Sequence, residues 1–181
     1  MEDENPAESI ARVRRVLQRC PEAGLHDDGP AVARWVEGLR VLTRQPDGTE
    51  LATDMPRAWG GGGARITPGW YLRAGLASCT ATSLLLAATE EAVELTRLEV
   101  RATSRSDACG LLGLPGRDGR PVSAAPLEMR LEVALSAQGV PAERLQALAD
   151  LARRRSPVAA ALSDAITLIW DVRIEPAAAA G

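Results

Sequence analysis

Between Thr67 and Ala92 the chain reads TPGWYLRAGLASCTATSLLLAATEEA, an apolar stretch with one arginine ahead of its acidic end and no proline beyond Pro68. A helix from Pro68 to about Ala92 would run about 37 Å at 1.5 Å per residue, the width of a small domain. Everything else the chain builds must be arranged around it. Thr67 and Pro68 suit the N-cap and first-turn positions, where a hydroxyl satisfies a free N–H and proline has no N–H to lose. Leu72, Leu76, Cys79, Ser83 and Leu86 recur at steps of three and four and predict one core-facing stripe, which Tyr71, Leu85 and Val93 widen.

The flanking segments supply sheets. Residues Pro6 to Cys20 place Ile10, Val13, Val16 and Leu17 at helical spacing and predict a short amphipathic helix stopped by Pro21. From Ala31, AVARWVEGLRVLTR, then Pro46-Asp47-Gly48, then TELATDM predict a strand, a turn and a strand. Gly60 to Gly63 read as a flexible link. Beyond the long helix, RLEVRATSRSD and LEMRLEVALS alternate apolar and polar residues as half-buried strands do, and the two are expected to pair antiparallel across a loop from Cys109 to Pro126. Pro141 to Arg144 opens a helix with Leu145, Leu148 and Leu151 on one stripe, ending near Ser156-Pro157. A short helix from Val158 to Asp164 and a last strand, ITLIWDVRI, follow. This order predicts one α+β domain at 31–175, with a helical extension at 1–30 and a disordered tail at 176–181.

Composition narrows the function. The 181 residues carry a formal net charge of −3, and acids and bases are interspersed, so no basic field exists to hold a nucleic acid. All the basic residues except His26 are arginine, which reflects coding composition. No apolar run approaches the ~20 residues of a membrane span, and a membrane is not expected. The acidic start MEDENPAES lacks the order of a signal peptide, and a cytoplasmic protein is expected. Cys20, Cys79 and Cys109 are too few and too scattered for a disulfide framework, and in a reducing compartment a cysteine that matters is catalytic, redox-active or metal-binding.

Other centres fail on chemistry. No Gly-Lys-Ser/Thr follows the four glycines, so they are not a phosphate loop. His26 beside Asp27 and Asp28 is the single histidine, a poor set for a metal and no partner for a hydrolase triad. Neither a metal nor an organic cofactor is expected. Cys79 is left, either as an inert apolar filler or as a reactive thiol. An ordinary thiol ionises near pH 8.5, and lowering that by three units requires about 4 kcal/mol in favour of the charged form. Burial opposes it, and the helix N-terminus lies about three turns away. A reactive Cys79 therefore needs a cation from elsewhere, and arginine is the available type.

The stretch Pro68 to Leu86, with proline eleven residues before the cysteine and Ala74-Gly75-Leu76-Ala77-Ser78 leading into it, resembles the central helix of the OsmC/Ohr family (osmotically inducible protein C and organic hydroperoxide resistance protein). These are thiol-dependent hydroperoxide reductases. The resemblance covers about Ala31 to Ile174, through Trp35 to Gly38, the glycine-rich link, the strands after the helix, and Ser156 to Val158. It implies a long central helix packed on antiparallel strands in an intertwined homodimer. A helix apolar on nearly all sides, needing more cover than one small sheet supplies, points the same way.

The resemblance also assigns roles. Cys79 matches the peroxidatic cysteine, and Arg40, with Arg44 as second choice, matches the arginine that activates it. Ser156 falls where the family has its second cysteine, and Gly69 where organic hydroperoxide reductases have an acid. The implied substrates are an organic hydroperoxide and a thiol reductant. Three outcomes stay open for a chain with serine at 156. Cys109 could replace the second thiol, a small thiol could act directly on the oxidised cysteine, or the fold could serve as a non-enzymatic small-molecule-binding or stress-associated protein.

Overall fold

A computed structural model describes residues 5–164. The expected last strand at 166–174 and the tail lie outside the described residues. The chain begins with α1 (Pro6–Arg19), followed by a three-stranded antiparallel sheet of β1 (Val32–Glu37), β2 (Arg40–Arg44) and β3 (Glu50–Thr53) in that order. The long helix α2 (Pro68–Glu90) follows, then β4 (Leu95–Arg105), the short α3 (Ala108–Leu111) and β5 (Glu128–Ala137), which pairs antiparallel with β4. Two consecutive helices, α4 (Ala142–Arg155) and α5 (Pro157–Ser163), complete the described chain.

α2 starts as its sequence dictates, with the Thr67 hydroxyl accepting the Trp70 N–H at 3.3 Å and Pro68 in the first turn. One side of it packs on β4 and α4. There Leu84, Ala87 and Ala88 meet Leu148 and Ala152 of α4 beneath Leu98, Val133 and Leu135 of the sheet. The buried positions of α2 are Leu76, Thr80, Ser83, Leu84, Ala87 and Ala88, while Leu72 and Leu86 are exposed. Of the expected stripe, Leu76 and Ser83 are buried but Leu72, Cys79 and Leu86 are not, so the inward side is rotated toward Thr80 and Leu84. A helix apolar all round has no polar side to mark its orientation, so its neighbours decide which side turns inward.

The first hairpin holds three strands where two were expected. Gly38, at φ +50°, turns the chain between β1 and β2, and the Trp35 indole N–H donates to the Gly38 carbonyl at 3.0 Å across that turn. The glycine segment is also not a loose link. Asp54 is 4% exposed, its carboxylate accepts the Met55 N–H at 2.7 Å, and Gly61 lies so close that a Cβ there would sit 2.0 Å from the Met55 carbonyl oxygen. Only glycine allows that approach, which fixes the path from β3 into α2. The loop after β4 opens with α3, whose N-cap is Asp107.

α2 is long and apolar enough, by length and composition, to cross a membrane, contrary to the reading of the sequence, and only 33% of its most apolar window is buried. Core helices pass the same test, and the packing of Leu84, Ala87 and Ala88 is that of a core helix. Trp70, Leu72, Leu85 and Leu86 are among its exposed apolar residues.

Candidate active site

The corner between α4 and α5 follows from two residues. Pro157 has no N–H and its ring would clash with a carbonyl one turn back, so α4 cannot run through it. Ser156, held extended before the proline at φ −78° and ψ 112°, becomes the N-cap of α5 and accepts the Ala159 N–H at 3.4 Å. The corner lies on α2, and Ser156 is left with no exposed surface. Its hydroxyl donates to the Cys79 sulfur at 3.3 Å and stands 3.4 Å from the Thr80 hydroxyl. Residues 77 positions apart thus meet side chain to side chain.

Cys79 is half-buried and unpaired with another sulfur, as are Cys20 and Cys109. The structure brings Cys79 and Ser156 together. Arg40 pairs with Glu37 at 2.9 Å at the turn between β1 and β2, and Arg44 pairs with Glu50. Among the described residues, neither arginine has a hydrogen bond to Cys79. Thr80 escaped the sequence reading. The available signal was a hydroxyl directly after the cysteine, whose proton Leu76 O accepts at 2.8 Å.

Cys109 offers a poor second nucleophile. Asp107 holds its thiol above the ordinary range, first by a side-chain hydrogen bond and then by its negative charge. Less thiolate at a given pH means slower attack. Asp107→Asn removes the charge and keeps a side chain that can cap α3 through the Cys109 N–H, now held at 2.9 Å. The variant is expected to alkylate at Cys109 a few-fold faster than the parent near pH 8, with the difference vanishing at high pH where both are ionised. Peptide mass spectrometry after timed iodoacetamide exposure reads this directly, and equal rates at pH 8 would refute it.

An apolar cavity of about 680 Å³ opens between the first sheet and the early turns of α2, lined among others by Ala33, Val41, Leu51, Tyr71, Ala74 and Ser78. Ser78, the residue before Cys79, belongs to that lining.

Residues 60–171, more than half of the chain, match the family model described as OsmC-like protein. The chain belongs to the OsmC-like family. No curated protein sequence matches it. Among solved structures, the OsmC-like protein of Mycoplasma pneumoniae superposes with a TM-score of 0.64 at 15% identity, over 78% of this chain and 91% of that one. An organic hydroperoxide resistance protein of Elizabethkingia anophelis, solved with thiocyanate bound, gives 0.55 at 17% identity over 78% and 93%. The organic hydroperoxide resistance protein OsmC of Legionella pneumophila gives 0.52 at 21% identity over 77% and 93%. At these identities the likeness establishes the fold. The α+β architecture expected of an OsmC-like chain, a long helix on antiparallel strands, is the one observed.

Proposed function

We propose that this OsmC-like protein is a thiol-dependent reductase of organic hydroperoxides that works with one cysteine. The Cys79 thiolate attacks the terminal peroxide oxygen. An S–O bond forms, the O–O bond breaks, and the departing alkoxide takes up a proton to leave as an alcohol. Cys79 is then a sulfenic acid. A thiol from solution attacks that sulfur, water leaves, and a second thiol releases the mixed disulfide and restores Cys79. The peroxide gains the two electrons that the two external thiols lose.

The observation that carries the single-cysteine form is the Ser156 hydroxyl 3.3 Å from the Cys79 sulfur. Oxygen sits where an internal disulfide would need sulfur, and Asp107 pushes the Cys109 thiol up, first by a side-chain hydrogen bond. Membership of a family whose structural relatives include organic hydroperoxide resistance proteins supports the substrate class. Arg40 is the cation of this reading and must leave Glu37 to serve it. A reducing cytoplasm would supply the external thiol, and the domain of residues 31–175 would hold the whole site.

The direct test adds one equivalent of an organic hydroperoxide to reduced protein, traps sulfenic acid with a selective reagent and measures intact mass. An adduct on Cys79 within seconds is the expected result. An unchanged mass over minutes would remove the reading and favour a second one, supported by the apolar cavity between the first sheet and α2: a small apolar ligand bound without turnover.

Two copies are part of the proposal. Trp70, Leu72, Leu85 and Leu86 of α2 are left exposed, and Trp35 on β1 is 75% exposed. A surface of this kind is what a partner copy covers. Gel filtration at low micromolar concentration is expected to give the size of a dimer, and elution as a compact monomer would be incompatible with it.

A further inference from the structure

Three polar side chains meet where α5 leaves α4, and their protons can be counted. The Thr80 hydroxyl spends its one proton on the Leu76 carbonyl at 2.8 Å, so toward Ser156, 3.4 Å away, it can only accept. Ser156 accepts the Ala159 N–H at 3.4 Å, which leaves it one proton and two acceptors, Thr80 Oγ1 at 3.4 Å and Cys79 Sγ at 3.3 Å. Ser156 has no exposed surface and Thr80 is 2% exposed, so bulk water does not compete for either hydroxyl. A neutral thiol is a weak acceptor and a thiolate a strong one. As Cys79 ionises, the balance of the Ser156 proton therefore swings from Thr80 to sulfur.

We propose that Ser156 is the donor that supports Cys79 as a thiolate, with Thr80 competing for the same proton. This deepens the reading of Cys79 as the reacting thiol and rests on it for its purpose. Among the described residues, the Ser156 hydrogen bond is the only one made to the Cys79 sulfur. Several charged groups of the surrounding elements are engaged elsewhere, while Arg153 and Arg154 in the last turn of α4 are exposed. Arg14 of α1 and Arg155 of α4 both bind Glu90 at 2.8 Å, Arg144 binds Glu91 at 3.6 Å, and Arg73 donates to Ser104 at 3.1 Å. On β4, Arg97 pairs with Glu99, and Arg101 and Arg105 line an outer cleft with Glu128 and Glu132. Asp164 follows the last turn of α5, which carries no charge within Pro157–Ser163. Serine in place of a second cysteine thus loses the capacity to close a disulfide and gives the thiolate a stronger donor, because an O–H donates better than an S–H.

The test is the pH dependence of Cys79 alkylation by iodoacetamide, followed at the peptide level in the parent protein, Ser156→Ala and Thr80→Val. Removing a hydrogen bond to a charged group is expected to raise the midpoint in Ser156→Ala by about one pH unit, with alkylation about tenfold slower below it. Thr80→Val removes the competing acceptor at nearly constant volume and is expected to lower the midpoint by about half a unit. Looser packing alone would speed alkylation in both variants. Shifts of the same sign, or no shift in either, overturn the proposal. Ser156→Ala also removes the cap of α5. Should it fail to fold, Thr80→Val still decides, and a parent-like midpoint in Ser156→Thr, which keeps the hydroxyl, completes the argument. Alkylation proceeds whether or not peroxide is turned over. Opposite shifts without sulfenic acid formation would refute the enzymatic reading and leave this donor in place, whereas sulfenic acid formation without shifts would do the reverse.

Discussion

Cys79→Ser is expected to abolish hydroperoxide consumption and to leave the fold intact. The step needs a nucleophile that is substantially ionised near neutral pH and able to carry oxygen afterwards. A serine hydroxyl does neither, so the rate should fall to background, a drop on the order of a thousandfold or more. The structural effect is small by comparison. Oxygen for sulfur at a half-buried position changes little volume, and the Ser156 hydroxyl, 3.3 Å from the sulfur, can donate to an oxygen in the same place. The cost in stability should stay within about 1 kcal/mol. Peroxide consumption in the presence of excess thiol, together with a thermal melt, checks both halves. Undiminished consumption in the variant would place the chemistry at another group and end the assignment of Cys79.

Leu84→Ala carries the largest expected loss of stability. Leu84 has no exposed surface and sits where α2, α4 and the β4–β5 sheet meet, against Leu148 and Ala152. Truncation removes buried methyl groups and leaves a cavity that helices held by their neighbours cannot close. Comparable deletions cost about 2–5 kcal/mol, a large part of the total stability of a domain. For a chain of this size the melting temperature should fall by about 5–15 °C. Urea titration gives the free energy, and a loss below about 1 kcal/mol would mean that this junction is not the core. The neighbouring leucine provides the contrast. Leu85 is 51% exposed within one chain, so Leu85→Ala should weaken association of two copies more than it weakens the folded chain.

Both results depend on which side of α2 faces inward, and that is where sequence and structure part. Local chemistry alone fixes much of the chain. Thr67 and Pro68 start α2, Ser156-Pro157 breaks α4 from α5, and the alternation in β4 and β5 sets which residues of each strand turn inward. Each is a matter of one residue's backbone freedom or of a period set by helix or strand geometry, so a few neighbouring residues suffice to reveal it. Even the misread first hairpin had its signal in Gly38, where the chain turns at positive φ. The orientation of α2 had no such signal, because a helix apolar on most sides offers several equivalent faces, and only its packing against α4 and β4 chose the one through Thr80 and Leu84. The candidate site belongs to the same class. The sequence alone singled out Cys79, and its resemblance to a family pointed to Ser156. That their side chains touch, with Thr80 as a third member, was decided by the docking of the α4–α5 corner on α2, an interaction between distant segments that no local rule encodes.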